Sequence, residues 1–493
     1  MNPSLRKLLV TLGVILVVLF AFGAWVVHGN PSDRPIDATT GKDPLLVEAE
    51  SETIPSVGLA KTIGWGAGKA PKPAQGLAVA RFAERLDHPR TLLTLPNGDV
   101  LVAETNSPPR EGGSSGGVTG FVMKLFMGSV GAGDPSPNRI VLLRDSDGDG
   151  KAEQRFTFRE KDLASPSGMA WGANKLYIAN HNAVLAFDFV PGATALTGAP
   201  RKLMDLPGGG NHWMRNLLLS PDGKKLYAAV GSSSNIGENG IAAEAGRAAI
   251  WEVDLASGSA RQYAGGLRNP NGMGWNPSTG ELWTVVNERD QLGPDLVPDY
   301  LTNVPVGAQY GWPWVYWKDV IDWRVKDPMP EFLMEYTRKP EYALGAHTAA
   351  LGLVFAGDGN IMGDAYANGA FIARHGSWNR KPLVGYDVVF VRFDANGNPL
   401  GKPVPVLTGF LTGVDNETHG RPVWLAWDKP GALLVSDDTA GVIWRITAPG
   451  AKPLVGPKSV VTAHMPAQRG LSGDPNAKLE GSLGEAQNEM RQR

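Results

Sequence analysis

One phrase recurs along this chain: a polar turn carrying glycine or proline, followed at once by a short apolar run of strand length. It reads "LPNGDVLVAE" at 95–104, "GANKLYIAN" at 172–180 and "SPDGKKLYAAV" at 220–230. It returns as "NPSTGELWTVV" at 276–286, "ANGAFIARH" at 367–375 and "KPGALLVSDD" at 429–438. Each copy couples Asn/Asp-Gly or Gly-X turn chemistry to an alternating or apolar run, the signature of a strand entered from a tight turn. The spacing is irregular but mostly roughly 50 to 80 residues, close to one four-stranded blade with its loops. Six such units predict an all-β six-bladed β-propeller, with a pair of β-sandwiches as the competing arrangement. The 62 glycines and 38 prolines fit a chain with many tight turns.

The ends read differently. After "MNPSLRK" come twenty residues without a charge, "LLVTLGVILVVLFAFGAWVV" at 8–27. As a helix they would span roughly 30 Å, the hydrocarbon thickness of a bilayer. Arg6 and Lys7 precede the run, so the short tail is expected to stay cytoplasmic. The propeller is therefore expected to follow a transmembrane helix, facing the periplasmic side of a bacterial inner membrane. A cleaved signal peptide is the competing reading, since "AFGA" at 21–24 offers small residues. The expected organisation is an anchor or signal at 1–30, a Pro/Gly-rich tether at 31–75, the propeller at 76–450 and a flexible tail at 451–493.

Composition excludes several chemistries. There is no cysteine, so thiol catalysis, disulfides and thiolate metal sites are absent. A formal charge of −2 and a pI near 6.5 give no basic field for nucleic acid. No GxGxxG or Walker loop supports a nicotinamide or nucleotide-phosphate reading.

In a propeller, the loops at one end of the central channel build the site. "GGGNHWMRNLLL" at 208–219 puts His212 and Arg215 just before a strand. His212 reads as a loop histidine or as a proton acceptor at the mouth of a β-built pocket. "GLRNPNGMGWNP" at 266–277 offers Arg268 and Asn269 in a turn; a guanidinium there serves as a fixed fork of donors for oxygen anions or merely stabilises the turn. Thr348 follows His347 before another strand, and Arg380, Lys381 and Arg421 lie near His375 and His419. Together these groups would make the channel mouth positive and attract a polyanionic small ligand. Glu288, Asp290 and Asp295 cluster in "VVNERDQLGPDLVPDYL" at 285–301, suiting a hard cation or a solvated loop. Asp145, Asp147 and Asp149 alternate in "DSDGDGKAE" at 145–153, a calcium loop or an acidic hairpin. "WPWVYW" at 312–317 could face a pyranose or pack inside a blade.

Taken in order, "NHWMRNLLLSPDGKKLY", "GLRNPNG", "VVNERDQLGPDLVPDYL", "QYGWPW", "ALGAHTAALGL", "HGSWNRKPL" and "GRPV" resemble the sorbosone dehydrogenase family, relatives of soluble quinoprotein glucose dehydrogenase, over most of residues 80–447. The resemblance implies a six-bladed propeller holding pyrroloquinoline quinone (PQQ) and calcium. It implies oxidation of a sugar, an aldose or a sorbosone-like carbonyl hydrate, with electrons passed to an external quinone or cytochrome. It makes His212 the general base and Arg268 the group beside the reactive quinone carbonyl. It makes Arg215, Asn269, Thr348, Arg380, Lys381 and Arg421 cofactor contacts. It also sets the loop of Glu288, Arg289 and Asp290 against calcium, through backbone oxygens more than side chains, with Asp295 and the backbone at Tyr310 near a second ion. One departure stands out: the glucose enzyme supports its histidine with an aspartate after a glycine, whereas Ser232 follows Gly231 here, leaving Glu238 as a candidate carboxylate. A calcium-dependent lactonase and a non-catalytic binding propeller are the rival readings.

Overall fold

The computed structural model describes residues 30–52, 58, 60–109, 134–414 and 416–456, with the isolated positions 3, 6, 11, 13 and 17. Six antiparallel sheets form the body. Blade 1 runs Pro89–Thr94, Val100–Glu104, Arg139–Arg144 and Gln154–Arg159. Blade 2 runs Gly168–Gly172, Lys175–Ala179, Ala183–Asp188 and Arg201–Asp205, and blade 3 Leu217–Leu219, Lys225–Val230, Ala249–Asp254 and Ala260–Gly265. Blade 4 contains Asn269–Trp275, Leu282–Asn287, Pro298–Asn303 and Tyr342–Ala346. Blade 5 contains Ala350–Phe355, Gly369–Arg374, Asp387–Phe393 and Pro399–Thr408. Blade 6 takes Pro422–Trp427, Leu433–Asp437 and Val442–Thr447 from the C-terminal end and Ala78–Ala83 from the N-terminal end. That shared blade closes the ring.

The six repeated phrases are the second strands of the six blades. The second strand lies between two others and under the neighbouring blades, so both of its faces are covered and its sequence is a nearly unbroken apolar run. Val100–Glu104 and Leu433–Asp437 are buried throughout, whereas the outermost Gln154–Arg159 and Ala260–Gly265 are exposed over their first half. The innermost strands pack side by side around the axis. They approach so closely that a Cβ on Gly272 would sit 2.6 Å from the Leu351 carbonyl, and one on Gly352 2.8 Å from that of Val423. Below that convergence all six innermost strands line an apolar axial cavity of about 360 Å³.

Two expectations about the termini need restating. The apolar run at 8–27 lies almost wholly outside the described residues, and among the described residues no helix is long and apolar enough to cross a membrane. The segment read as a loose tether is, where described, a belt laid on the propeller. Thr40–Gly41 adds a fifth strand to blade 4, Lys72–Pro73 adds one to blade 5, and Lys61–Thr62 pairs with Glu417–Thr418. Trp65 stacks on His419 at 4.7 Å and donates its indole N–H to Asp437 at 2.8 Å. At the other end of the chain, Leu454 exchanges backbone hydrogen bonds with Gly359 and Asn360, while 457–493 lies outside the described residues.

Candidate active site

Antiparallel order decides which loops meet. In every blade the link from second to third strand, and the link from the outermost strand to the next blade, emerge at the same end of the ring. His212, Arg268, the loop from Glu288 to Asp295, Thr348, Arg380, Lys381 and Arg421 all fall on such links. The Asp145–Glu153 loop joins third to fourth strand in blade 1, so it lies at the opposite end.

His212 is half-buried, and its Nδ1 lies 2.9 Å from both the carbonyl and the hydroxyl oxygen of Ser232. The Ser232 hydroxyl already donates to the Ser234 carbonyl at 2.7 Å, so it offers His212 a lone pair. Two acceptors facing Nδ1 place the proton there and leave Nε2 as the basic nitrogen. Burial, reinforced by the nearby Arg268, pushes the imidazole down to about 3, so it stays neutral. Gly231 is required by this arrangement: a Cβ there would lie 2.6 Å from the His212 Cβ and would collide with the Asn269 side-chain oxygen. The Asn269 side chain thus lies close to His212. Glu238 takes no part, since its carboxylate caps the backbone N–H groups of Asn235 and Ile236.

Arg268 is held from several sides. It donates to the Asn235 carbonyl at 3.1 Å, to the Asn235 side-chain oxygen at 2.8 Å, to the Glu288 carbonyl, and to Asp290 at 3.0 Å. Burial works to raise the Asp290 carboxyl, but Arg268 and then His347 hold it below its ordinary value. His347 faces acceptors with both ring nitrogens, Asp290 at 3.2 Å and the Gly293 carbonyl at 3.0 Å. Burial opposes its charge, yet the bond to Asp290 prevails and His347 is raised. The arrangement is a cation–carboxylate–cation chain whose Arg268 end lies near His212.

Several expected contacts are spent on architecture. Arg215 is fully buried and donates to the carbonyls of Pro207, His212 and Met214, so it shapes the His212 loop from beneath. Thr348 donates to Asp299 at 3.2 Å; burial pushes that carboxyl up to about 6. Arg380 pairs with Asp295 at 2.9 Å and ties it to Ser32 and the Arg34 carbonyl of the belt. Lys381 is half-buried in the same loop, and its carbonyl receives the Ser32 N–H. Arg289 points away from the mouth into Glu288, Asp322 and the carbonyls of Pro313 and Val315. The carboxylates of Glu288, Asp290 and Asp295 therefore each face a different arginine and do not converge as a metal cage. The Tyr310 N–H goes to the Gly265 carbonyl and shares no partner with Asp295. Within "WPWVYW", Tyr316 and Trp317 are buried in the core between blades 3 and 4, whereas the buried Trp312 donates its indole N–H to the Asn235 carbonyl at 3.0 Å, beside Arg268. Asp145, Asp147, Asp149 and Glu153 do converge, with one ligand atom from each within 4.8 Å of the others.

A second cationic group completes the mouth. Arg421 donates to the carbonyls of His375 and Gly376 and leaves Nη1 without a partner among the described residues. Arg90 pairs with Asp438 at 2.7 Å and lies over the ring of Trp213, the neighbour of His212, at 5.4 Å. Its buried Nε has no partner among the described residues. His375 also reaches Asp438, at 3.1 Å, but burial beside Arg421 pushes it down to about 4. Asp438 thus serves Arg90 and His375 directly, while the Arg421 guanidinium is held by carbonyls alone. Arg90, Asn235 and Asp438 were not singled out from sequence. Arg90 shared a visible signal with its peers, because "HPRTLL", "LRNPNGM" and "GRPVWL" all place arginine within two residues of a proline where an innermost strand begins.

Comparison with known proteins agrees with this architecture. The model of the TrAA12-like family matches residues 139–303 and 332–449. A pyrroloquinoline quinone-dependent pyranose dehydrogenase of Coprinopsis cinerea is 26% identical over 451 residues, covering 78% of this chain and 57% of that protein. An uncharacterized protein of Borreliella burgdorferi is 27% identical over 300 residues, covering 58% of this chain and 76% of its own. Among solved structures, the calcium structure of a Trichoderma reesei family AA12 carbohydrate-active enzyme superposes with a TM-score of 0.62 at 21% identity, covering 77% of this chain and 97% of that one. The holo PQQ domain of the Coprinopsis cinerea pyranose dehydrogenase gives 0.59 at 21% identity over 79% of this chain and all of that domain. Both likenesses concern the fold.

Proposed function

The chain belongs to the TrAA12-like family, and from that premise we propose that it is a PQQ-dependent oxidoreductase of sugars. The observation that carries the reading is the surplus of positive charge at the mouth beside a neutral, tautomer-fixed histidine. Arg90 pairs with the carboxylate of Asp438, whose charge Arg421 also feels without touching it, and Arg268 and His347 share that of Asp290. Buried unmatched cations are costly, and a planar polycarboxylate would match them. Arg421, Arg90, Arg268 and Asn269 would hold such a cofactor, with Lys381 in reach of the same loops. When bound, PQQ supplies a two-electron acceptor for hydride from the sugar carbon.

The chain's own groups supply the rest. His212 Nε2 takes the hydroxyl proton of the sugar, which requires the neutral state that burial secures. Arg268, already positively charged and fixed, stabilises negative charge that develops on oxygen near it. The carboxylates around 288–295 are each paired with an arginine, so a cation in this loop would rest on backbone oxygens, and no step is assigned to calcium there. The Asp145 loop fits a hard cation in a structural role. The finer reading is a sorbosone-like carbonyl hydrate or aldose as substrate, and a separate quinone or cytochrome as electron acceptor, since a chain without cysteine cannot attach c-type haem. The charge-free run at 8–27 supports export and anchoring at the periplasmic face.

The test is reconstitution with PQQ, a screen of aldoses, sorbosone and alcohols with an artificial acceptor, and the same screen on His212→Ala. Turnover should fall about 100- to 10,000-fold while quinone binding persists. Unchanged turnover in the variant, or refusal of the quinone by the wild type, would overturn the reading.

A further inference from the structure

Ser232 can orient the His212 ring but brings no charge, and a carboxylate stands one layer behind it. Glu244, buried at the end of the short 3-10 turn Ile241–Glu244, accepts the Ser233 N–H and the Ser233 hydroxyl, each at 2.7 Å, and the Ser234 hydroxyl. The Ser232–Ser234 turn thereby fixed is a junction of the site. Ser233 accepts the Asn211 N–H at 2.8 Å, which places the residue before His212. Ser232 N–H donates to the Arg268 carbonyl at 2.8 Å, which ties the turn to the arginine's backbone. Ser234 accepts the Ser232 hydroxyl proton, which turns the Ser232 lone pair toward Nδ1. The same three serines thus set the backbone position, ring orientation and tautomer of His212, and one carboxylate holds two of them.

From these contacts we infer that Glu244 is the positioning residue for His212, acting through the Ser232–Ser234 turn rather than by touching substrate. The inference rests on His212 being the base of the proposed oxidation. It replaces the charged partner by a two-stage arrangement: a neutral hydroxyl sets the tautomer and a buried carboxylate stiffens the peptide that carries it. A carboxylate in contact with the ring would raise the imidazole; one held off by a serine turn fixes its geometry and leaves it neutral.

The experiment uses the full chain labelled with ¹⁵N-histidine, the His212 signals being identified by their loss in His212→Ala. In the wild type His212 should show protonated Nδ1 and bare Nε2. In Glu244→Ala the ring should show mixed tautomers, and with PQQ kcat should fall on the order of 100-fold, as for a misplaced reacting group. KM should change little. Glu244→Gln, which keeps shape and one acceptor oxygen, should retain more turnover, and Ser234→Ala gives a milder lesion should Glu244→Ala not fold. In a His212→Ala background each Glu244 substitution should have no further effect on kcat, because its influence passes through the imidazole. A folded Glu244→Ala protein whose His212 spectrum and kcat match the wild type would overturn the inference, as would an equal loss in the His212→Ala background. The spectra need no cofactor, so a chain that refuses PQQ defeats the proposed oxidation while the tautomer result still decides the role of Glu244.

Discussion

A proton has one place on the His212 ring, and that fixes how the site meets acid. An unfolded histidine titrates near pH 6.5, whereas the folded ring, depressed by burial and Arg268, does so at about 3. Between those values the unfolded chain binds the extra proton, so stability rises with pH across the window and is lost as pH falls through it. Urea unfolding at pH 4.5 and pH 7 should therefore show a smaller difference for His212→Ala than for the wild type; an equal difference would remove the depressed ring from the account. Gly231→Ala tests the same spot sterically. Its Cβ would lie 2.6 Å from that of His212, so turnover should drop on the order of 100-fold, read by steady-state kinetics on protein shown to be folded by circular dichroism. Loop position placed His212, Arg268 and Asn269 at one end of the ring, as the structure has them, while their roles were read from the family resemblance alone. Arg215, Arg289 and Arg380 carried the same marks, yet Arg215 is consumed by carbonyls of its own loop, Arg289 by Glu288, Asp322 and two carbonyls, and Arg380 by Asp295 and the belt. A short motif shows that a charge exists, while its partner is set by packing.

The elements explain both the regularity and the misreadings. Second strands announce themselves because they are covered on both faces, so a single apolar run after a turn is enough to find one in each blade. Innermost strands begin with arginine within two residues of a proline in blades 1, 4 and 6, and Arg90, Arg268 and Arg421 are brought to the same end of the ring by that shared position. The belt had no such signal. Its strands are two residues long, too short to carry a period, and its proline and glycine content is that of a tether. What fastens it is a buried cluster: Arg380 with Asp295 at 2.9 Å, and Ser32 accepting from Arg380 while donating to Asp295. Removing Arg380 strands a buried carboxylate, which typically costs about 3–5 kcal/mol. Arg380→Ala should lose stability of that order in urea, and Arg380→Ala/Asp295→Ala should lose less than the sum of the single changes. Strict additivity would mean that the two side chains do not act together.

At the scale of the whole molecule the two ends of the ring are separated in purpose. The cation-rich end carries the base, and the acidic loop of blade 1 lies at the other, against the seam where the chain closes on itself. Ala152 N–H donates to the Phe82 carbonyl of the closing strand at 2.9 Å, and a Cβ on Gly150 would sit 2.7 Å from the Arg445 guanidinium of blade 6. Asp145 holds the loop's shape by accepting the N–H groups of Gly148 and Gly150, while Asp147 and Asp149 remain exposed beside it. An ion here would brace the blade 1 loop that packs against the closing blade. Binding to the folded state alone stabilises by RT ln(1 + [L]/Kd), about 2.7 kcal/mol at a hundredfold excess over Kd. Calcium should accordingly raise the melting temperature of the wild type and have little effect on Asp147→Asn/Asp149→Asn. Sugar oxidation by that variant, assayed well below its melting temperature, should match the wild type, because the loop is at the far end of the blade from His212. A calcium response that survives the double substitution would place the ion elsewhere, and a variant that folds but loses turnover would mean that the two ends are coupled through the ring.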